Sequence, residues 1–441
     1  MNQQLTAFKK YLTGSIDGRV LGLFRVLFGL VMVMEMIYYI HIDLVKNMYV
    51  LPSVQFSYDG FTWLKPLSEP MMDGIVWILL GFALLMTLGF WFKWAARLFA
   101  IGYSYLFLLD KSIYNNHIYL YILLAIMLSF TDADQFLAVR KRKELRAIPR
   151  WQQWIFQFQI VIVYFFAGVV KLKYDWFVLH EPVKTMLKNI QPSHYLFGFA
   201  KLEWVEYFFV YGGVLLDLAS PLLLWHKPIR KWAIYLFVLF HITNSQIFDD
   251  IAFFPVAMLS TLIIFYEWSS FPKWIRSLMG GDSQLAGASR GLGSNRWLWA
   301  GYFGIQLLFP LRGFFLPNDL DWTTIGNRFS WRVKMDTRST YELEYYVHFG
   351  DGQISRVDIN SFVNTHQMRL LSHDPRAVQE LAIAIKRAVI EQGGSVKAVK
   401  ARIILARNGR PPQLFIDPEV DLTRVHYSPL KKLEWVVPFR F

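Results

Sequence analysis

Ionisable side chains are scarce inside the long apolar runs of this chain, so the few that occur there are where chemistry is to be sought. Lys171 sits in YFFAGVVKLKYDW, and Asp110, Lys111, Asn115, Asn116 and His117 lie together in DKSIYNNHIYLYILLA. In FHITNSQIF the i, i+3, i+4 spacing puts His241, Asn244 and Ser245 on one helical face. Asp217 is a further acid within an apolar run. Charged groups cost several kcal/mol in a bilayer and default to function. An amine stripped of water gives up its proton more easily, which leaves a base able to accept one near neutral pH.

Each group also admits a structural reading. Lys171 can snorkel to the interface or pair with Asp175, since Tyr164, Gly168, Lys171 and Asp175 share a helical face by spacings of three, four and seven. The 110–117 stretch reads equally as a polar turn between two short helices, and Asn244 and Ser245 as hydrogen-bonding glue between helices.

The elements that must hold these groups are membrane helices. Of 441 residues, 54% are hydrophobic and only 18% charged, against about a quarter charged in soluble chains. Nine runs approach the roughly 20 residues that span a bilayer: 20–40, 74–92, 96–109, 114–130, 154–172, 205–225, 232–248, 251–268 and 297–315. The third and fourth are short enough to form a broken or re-entrant pair instead. The first run is too long and too rich in Tyr and Met for a cleaved signal peptide, so it is expected to stay as a span.

The formal charge of +13 could indicate nucleic acid, but the basic residues cluster between spans. Lys9, Lys10 and Arg19; Lys93 and Arg97; 140–150; Lys227, Arg230 and Lys231; and 273–296 all fall on the cytoplasmic side if the amino terminus is inside. Nine spans then place the C-terminal domain outside the cell.

The chain has no cysteine and no Asn-x-Ser/Thr acceptor, which excludes a thiolate nucleophile and points to a prokaryotic plasma membrane. The ten scattered histidines offer no metal-ligand spacing, and no phosphate-cradling glycine loop occurs. Residues 280–295 are rich in Gly and Ser and read as a flexible cytoplasmic loop. The polar but aromatic 173–203 reads as a lid or platform on the outer face. After Phe315, alternating runs (342–349, 354–359, 399–405) and an amphipathic helix at 378–390 predict a β-rich or α+β domain. The expected division is a helical bundle with a catalytic cavity over 1–316 and an extracytoplasmic soluble domain over 317–441.

DKSIYNNHIYLYILLA, IVYFFAGVVKLKYDW, GGVLLDLASPLLLW and FHITNSQIF, in this order, resemble the vitamin K-dependent γ-glutamyl carboxylase family. WTTIGNRFSW and FIDPEVDL extend the likeness to the C-terminal domain, so that it runs from about Ile16 to the end. The resemblance implies a membrane enzyme that oxidises a reduced quinone, vitamin K or menaquinone, with O2 to its epoxide. That reaction supplies a base strong enough to take the γ-proton of a peptide glutamate, to which CO2 then adds.

On this likeness Lys171 is the base toward the quinol, with Val170 where the family often has a second lysine. Asn116 and His117 orient and stabilise the quinone oxygen, and Tyr164, His241 and Asn244 line the quinone cavity. Arg338, after the Ser330–Trp331 pair, binds the substrate carboxylate. Asp336 stands where the family has a histidine, and it would repel a glutamate unless it is paired or turned away. The family's longer C-terminal tail has no counterpart here.

The implied partners are membrane lipid, a quinol and an extracytoplasmic Glu-containing peptide, with no metal and no nucleic acid. Two other readings stay open: a quinol oxygenase without peptide carboxylation, and a non-enzymatic membrane transport or assembly protein.

Overall fold

The computed structural model describes residues 2–140, 145–247, 253–279, 285, 295–333 and 335–440. The basic run at 141–144 and nearly all of the Gly/Ser-rich 280–295 stretch therefore lie outside the described residues. Among the described residues four helices are long and apolar enough to cross a membrane: Arg19–His41, Glu69–Leu88, Trp151–Val169 and the composite Glu203–Trp225. Asn116–Leu128 and Phe254–Phe265 are apolar but shorter.

A surface helix, α1 (Asn2–Thr13), and a two-residue strand, β1 (Ser15–Ile16), precede α2 (Arg19–His41). Helix α3 (Glu69–Leu88) starts after Ser68 with a proline in its first turn and ends at Gly89 in the left-handed region (φ 69°). A side chain at Gly89 would press on the Arg25 guanidinium, 2.5 Å from its Nη1. That guanidinium is fully buried in the span. Its Nη1 donates to the Met86 and Thr87 carbonyls (3.0 and 2.8 Å) and its Nη2 to those of Phe136 and Leu137 (3.1 and 2.6 Å). It thus satisfies carbonyls that a helix end leaves open, with no water at hand.

The remaining bundle helices are α4 (Phe92–Leu109), α5 (Asn116–Leu128) and α6 (Trp151–Val169), then the short α7 (Tyr174–Phe177). Beyond these lie α8 (Gly213–Trp225), α9 (Lys227–Ile247), α10 (Phe254–Leu262) and α11 (Asn295–Leu308). Strand β2 (Ile148–Pro149) pairs antiparallel with β1, which ties α1 to the start of α6. Outward apolar side chains such as Ile101, Leu215, Leu222 and Trp232 are more than 60% exposed, as a lipid-facing surface requires.

The C-terminal part is an antiparallel sheet in the order β4-β3-β5-β6. Its long strands are β3 (Arg338–Phe349) and β5 (Val396–Arg407), and its short ones β4 (Ile354–Arg356) and β6 (Gln413–Leu414). Helix α12 (Thr365–Leu371) opens with a capping box from Asn364 and Gln367. Helix α13 (Pro375–Glu391) carries Val378, Leu381, Ala382 and Ile385 on its buried face. These form one core with Tyr345, Val347, Ile403 and Leu405 of the sheet.

One expectation fails here. Helix α6 ends at Val169, so Lys171 follows the helix and Asp175 belongs to α7. The four residues therefore do not share one helical face, and Lys171 does not pair with Asp175.

Candidate functional site

Helices α6 and α8 approach closely because residue 168 is a glycine. A Cβ there would lie 2.9 Å from the Leu218 backbone nitrogen. That contact brings the end of α6 against Asp217, and Lys171 Nζ lies 2.6 Å from Asp217 Oδ2. Both side chains are buried. Nζ also sits 5.0 Å from the centroid of the Trp176 ring. The sequence marks Asp217 as a buried acid, but no spacing within the chain reveals its partner on another helix.

These groups form the polar end of a cavity of about 80 Å3, lined also by Tyr164, Phe209, Phe240, His241, Asn244, Phe254, Met258 and Val333. Tyr164 Oη and His241 Nε2 are 2.6 Å apart. His241 Nδ1 is buried and has no hydrogen-bond partner among the described residues. A buried imidazole nitrogen left open in this way can hydrogen-bond a ligand hydroxyl. Lys171, Tyr164, His241 and Asn244 are thus brought together. Sites for small molecules usually hold roughly 300–1,000 Å3, so a ligand of that class would need the walls to part.

His117 is placed one ring away from this cavity. Its imidazole lies 5.9 Å from Phe254 and 5.5 Å from Tyr121, and Phe254 is 6.2 Å from His241. Asn116 acts on the cavity roof, since its Nδ2 donates to the Arg332 carbonyl (2.8 Å) beside Val333. Tyr114 Oη donates to Asn116 Oδ1 (2.9 Å) and accepts from the Phe329 amide (2.6 Å).

The start of the same motif also reaches the C-terminal domain. Asp110 Oδ2 accepts from Gln367 Nε2 (2.8 Å) and from the Phe56 amide (3.2 Å). Lys111 Nζ lies 3.2 Å from Glu380 and 3.7 Å from Asp374.

The two residues expected to bind glutamate are not at the cavity. Trp331 is fully buried and stacks on Tyr119 at 4.9 Å. Arg338 donates from Nε to Asp336 (2.8 Å), from Nη1 to the Trp322 and Ser372 carbonyls (3.0 and 3.1 Å), and from Nη2 to the Asp321 carbonyl. Four of its five N–H donors are spent on the protein. Asp336 in turn is paired with Arg338 and, at 3.4 Å, with Arg407. The condition under which it would not repel a glutamate is met.

Around this pair lies a partly exposed ionic cluster at the junction of bundle and sheet. Asp175 Oδ2 accepts from Arg407 (2.9 Å) and Asn408 (2.8 Å), and its Oδ1 from Arg410 (2.6 Å). Lys173 lies 2.6 Å from Asp321 Oδ1, and Arg332 bonds the same carboxylate. Among the described ion pairs of this cluster, five cations (Lys173, Arg332, Arg338, Arg407, Arg410) meet three carboxylates (Asp175, Asp321, Asp336).

Burial alone would push these carboxyls up. For Asp175, hydrogen bonds from Arg410 and Asn408 and the two arginine charges hold it below the usual carboxylate range. Arg338 and Arg407 do the same for Asp336, and Arg332 and Lys173 for Asp321. Sequence reading missed Arg407, Asn408 and Arg410. The signal available was the Asn-Gly pair in ARNGR, where Asn408 (φ 51°) and Gly409 (φ 68°) make the tight turn that presents both arginines.

The family model for the HTTM domain matches residues 14–269, more than half the chain, so the chain belongs to that family. The model for the vitamin K-dependent gamma-carboxylase lumenal domain matches residues 294–441. Together they place the chain in the γ-carboxylase family. It is therefore an integral membrane protein of that family with a C-terminal sheet-containing domain. No solved structure matches it.

Proposed function

We propose that the protein is a quinol-dependent γ-glutamyl carboxylase. Oxygenation of reduced vitamin K or menaquinone would supply the strong base, and CO2 would add at the γ-carbon of a peptide glutamate. The observation that carries this reading is the buried Lys171–Asp217 pair lining an apolar cavity, beside a cation-rich junction. Lys171 and Asp217 act as one proton-accepting unit toward the quinol hydroxyl. His241 Nδ1 and Asn244 hold the quinol ring, and Tyr164 fixes the imidazole. Asn116 fixes the roof at Arg332, and His117 supports the oxygen through the Phe254 side of the cavity.

Glutamate recognition is assigned to the cationic cluster as a whole, with Arg338 holding Asp336 out of the substrate's way. In this reading the bundle over 1–316 makes about nine crossings of the plasma membrane with a cytoplasmic amino terminus, and 317–441 faces outward.

The largely engaged guanidinium of Arg338 supports a second reading, a quinol oxygenase that leaves peptide unmodified. Purified protein with reduced quinone, O2, bicarbonate and a Glu-containing peptide, scored by mass, separates the two. Epoxide with a peptide gain of CO2 supports carboxylation, epoxide alone supports the oxygenase, and neither product sinks both.

A further inference from the structure

The end of the bundle away from the C-terminal domain holds a second cavity, of about 860 Å3. It lies at the start of α6, whose 19 residues set it about 28 Å from the Lys171 end. Its walls are aromatic, with Phe8 and Tyr11 of α1 facing Trp154, Phe158 and Trp225. Phe8 meets Trp154 edge-on at 5.6 Å, and Phe158 stacks with Trp225 at 6.0 Å. The β1–β2 pairing holds α1 in this position.

The cavity's cations are Arg150, Lys227 and Arg230, and its acids are Asp17 and Glu267. Asp17 is taken by Arg19 at 2.5 Å and Glu267 by Lys227 at 2.6 Å. Arg230 spends Nε, Nη1 and Nη2 on the carbonyls of Leu224, Phe265 and Trp225. Arg150 lies over the Tyr11 ring at 4.5 Å, and its buried Nε has no hydrogen-bond partner among the described residues. Among the described residues Glu267 is thus the carboxylate shared by Lys227, Arg230 and Arg150, while Asp17 is taken by Arg19, so positive charge is in excess beside one aromatic-walled space at the end of membrane-spanning helices. Arg150 and Arg230 are half-buried, and such an excess of positive charge near the membrane surface attracts an anionic headgroup.

We infer that this cavity is a binding site for an anionic phospholipid of the leaflet opposite the C-terminal domain. The phosphodiester lies against Arg150 and the acyl chains against Trp154, Phe158 and Trp225. Arginine suits the phosphate because its planar fork donates two parallel hydrogen bonds. The volume falls within the range of sites for ligands of this size. Tyr and Trp at the rim match the amphipathic side chains that settle at the headgroup level. The lipid joins α1, α6 and α9.

Native mass spectrometry of the full chain in detergent, with phosphatidylglycerol or phosphatidylcholine added, tests the site. Wild type is expected to retain one phosphatidylglycerol about 10-fold more than phosphatidylcholine, R150Q to lose that preference, and R150K to keep part of it. K227Q changes a largely exposed residue that is not expected to disturb folding, and it should lower retention by a smaller factor. Equal retention of the two lipids by wild type overturns the proposal, as does undiminished phosphatidylglycerol binding by R150Q. So does full competition by soluble glycerophosphoglycerol at equal concentration, which would assign the site to a free phosphodiester.

Discussion

Lys171 Nζ and Asp217 Oδ2 stand 2.6 Å apart across two helices that only a glycine at 168 allows to touch. A carboxylate at that distance means the amine does not work alone, since a proton taken by either group is felt by both. Asp217→Asn is therefore expected to lower quinone epoxide formation as severely as Lys171→Ala, by about 100-fold or more. A rate in Asp217→Asn within threefold of wild type would show that Lys171 needs no partner.

Gly168→Val tests the helix contact itself. Its side chain would meet the Leu218 backbone and Cγ at 2.8–2.9 Å, and overpacking of this kind costs about 1–3 kcal/mol. Thermal unfolding in detergent should show a lowered midpoint, and epoxide formation should fall because Lys171 is pushed away from Asp217.

Acid should loosen the C-terminal domain in two stages. Burial and the neighbouring Arg338 and Arg328 charges lower His373 from 6.5 to about 4. The unfolded chain thus binds the extra proton first, and stability drains away as pH falls from about 6.5 to 4. Asp175, Asp321 and Asp336 are depressed carboxylates, so their contribution is present above the ordinary range near pH 4 and is lost below it. His373→Gln should flatten the upper stage and leave the lower one, as read by unfolding midpoints measured across pH 3.5–7.

Salt should act on peptide use more than on quinol use. Recognition by a partly exposed cluster with excess cations weakens as screening tightens from a Debye length of about 10 Å to about 4 Å. The KM for a Glu-containing peptide is expected to rise several-fold between about 0.1 and 0.5 M salt, with the KM for the reduced quinone unchanged.

Arg25→Leu should destabilise the bundle by more than an ordinary core substitution. It removes a donor from the carbonyls of Thr87, Phe136 and Leu137 at once, and from that of Met86, which keeps the Gly89 amide. Each unsatisfied buried group costs about 1–3 kcal/mol, and loss of folded protein on detergent extraction would report it.

Period and composition made the helical bundle and the C-terminal α+β domain readable, though only four of the described helices reach the membrane-crossing length expected of nine, and the 378–390 helix and 399–405 strand fall within the observed α13 and β5. Tyr164, Lys171, His241 and Asn244 converge as their motifs suggested. What stayed hidden depends on pairing between distant segments. Lys171 with Asp217 and Asp175 with Arg407 and Arg410 are 46, 232 and 235 residues apart, and no periodicity encodes such partners. Arg338 looked available because sequence shows a guanidinium but not the carbonyls around it.

The DKSIYNNH stretch, described above as reaching into the C-terminal domain at Asp110, Lys111, Tyr114 and Asn116, has a consequence for inheritance. Neither half of the chain is free to change at this seam without the other. Among descendants of this sequence, replacements at Asp110 should travel with replacements at Gln367, and those at Lys111 with Glu380. A soluble domain grafted from a distant cousin should arrive as a misfit unless its own seam comes with it.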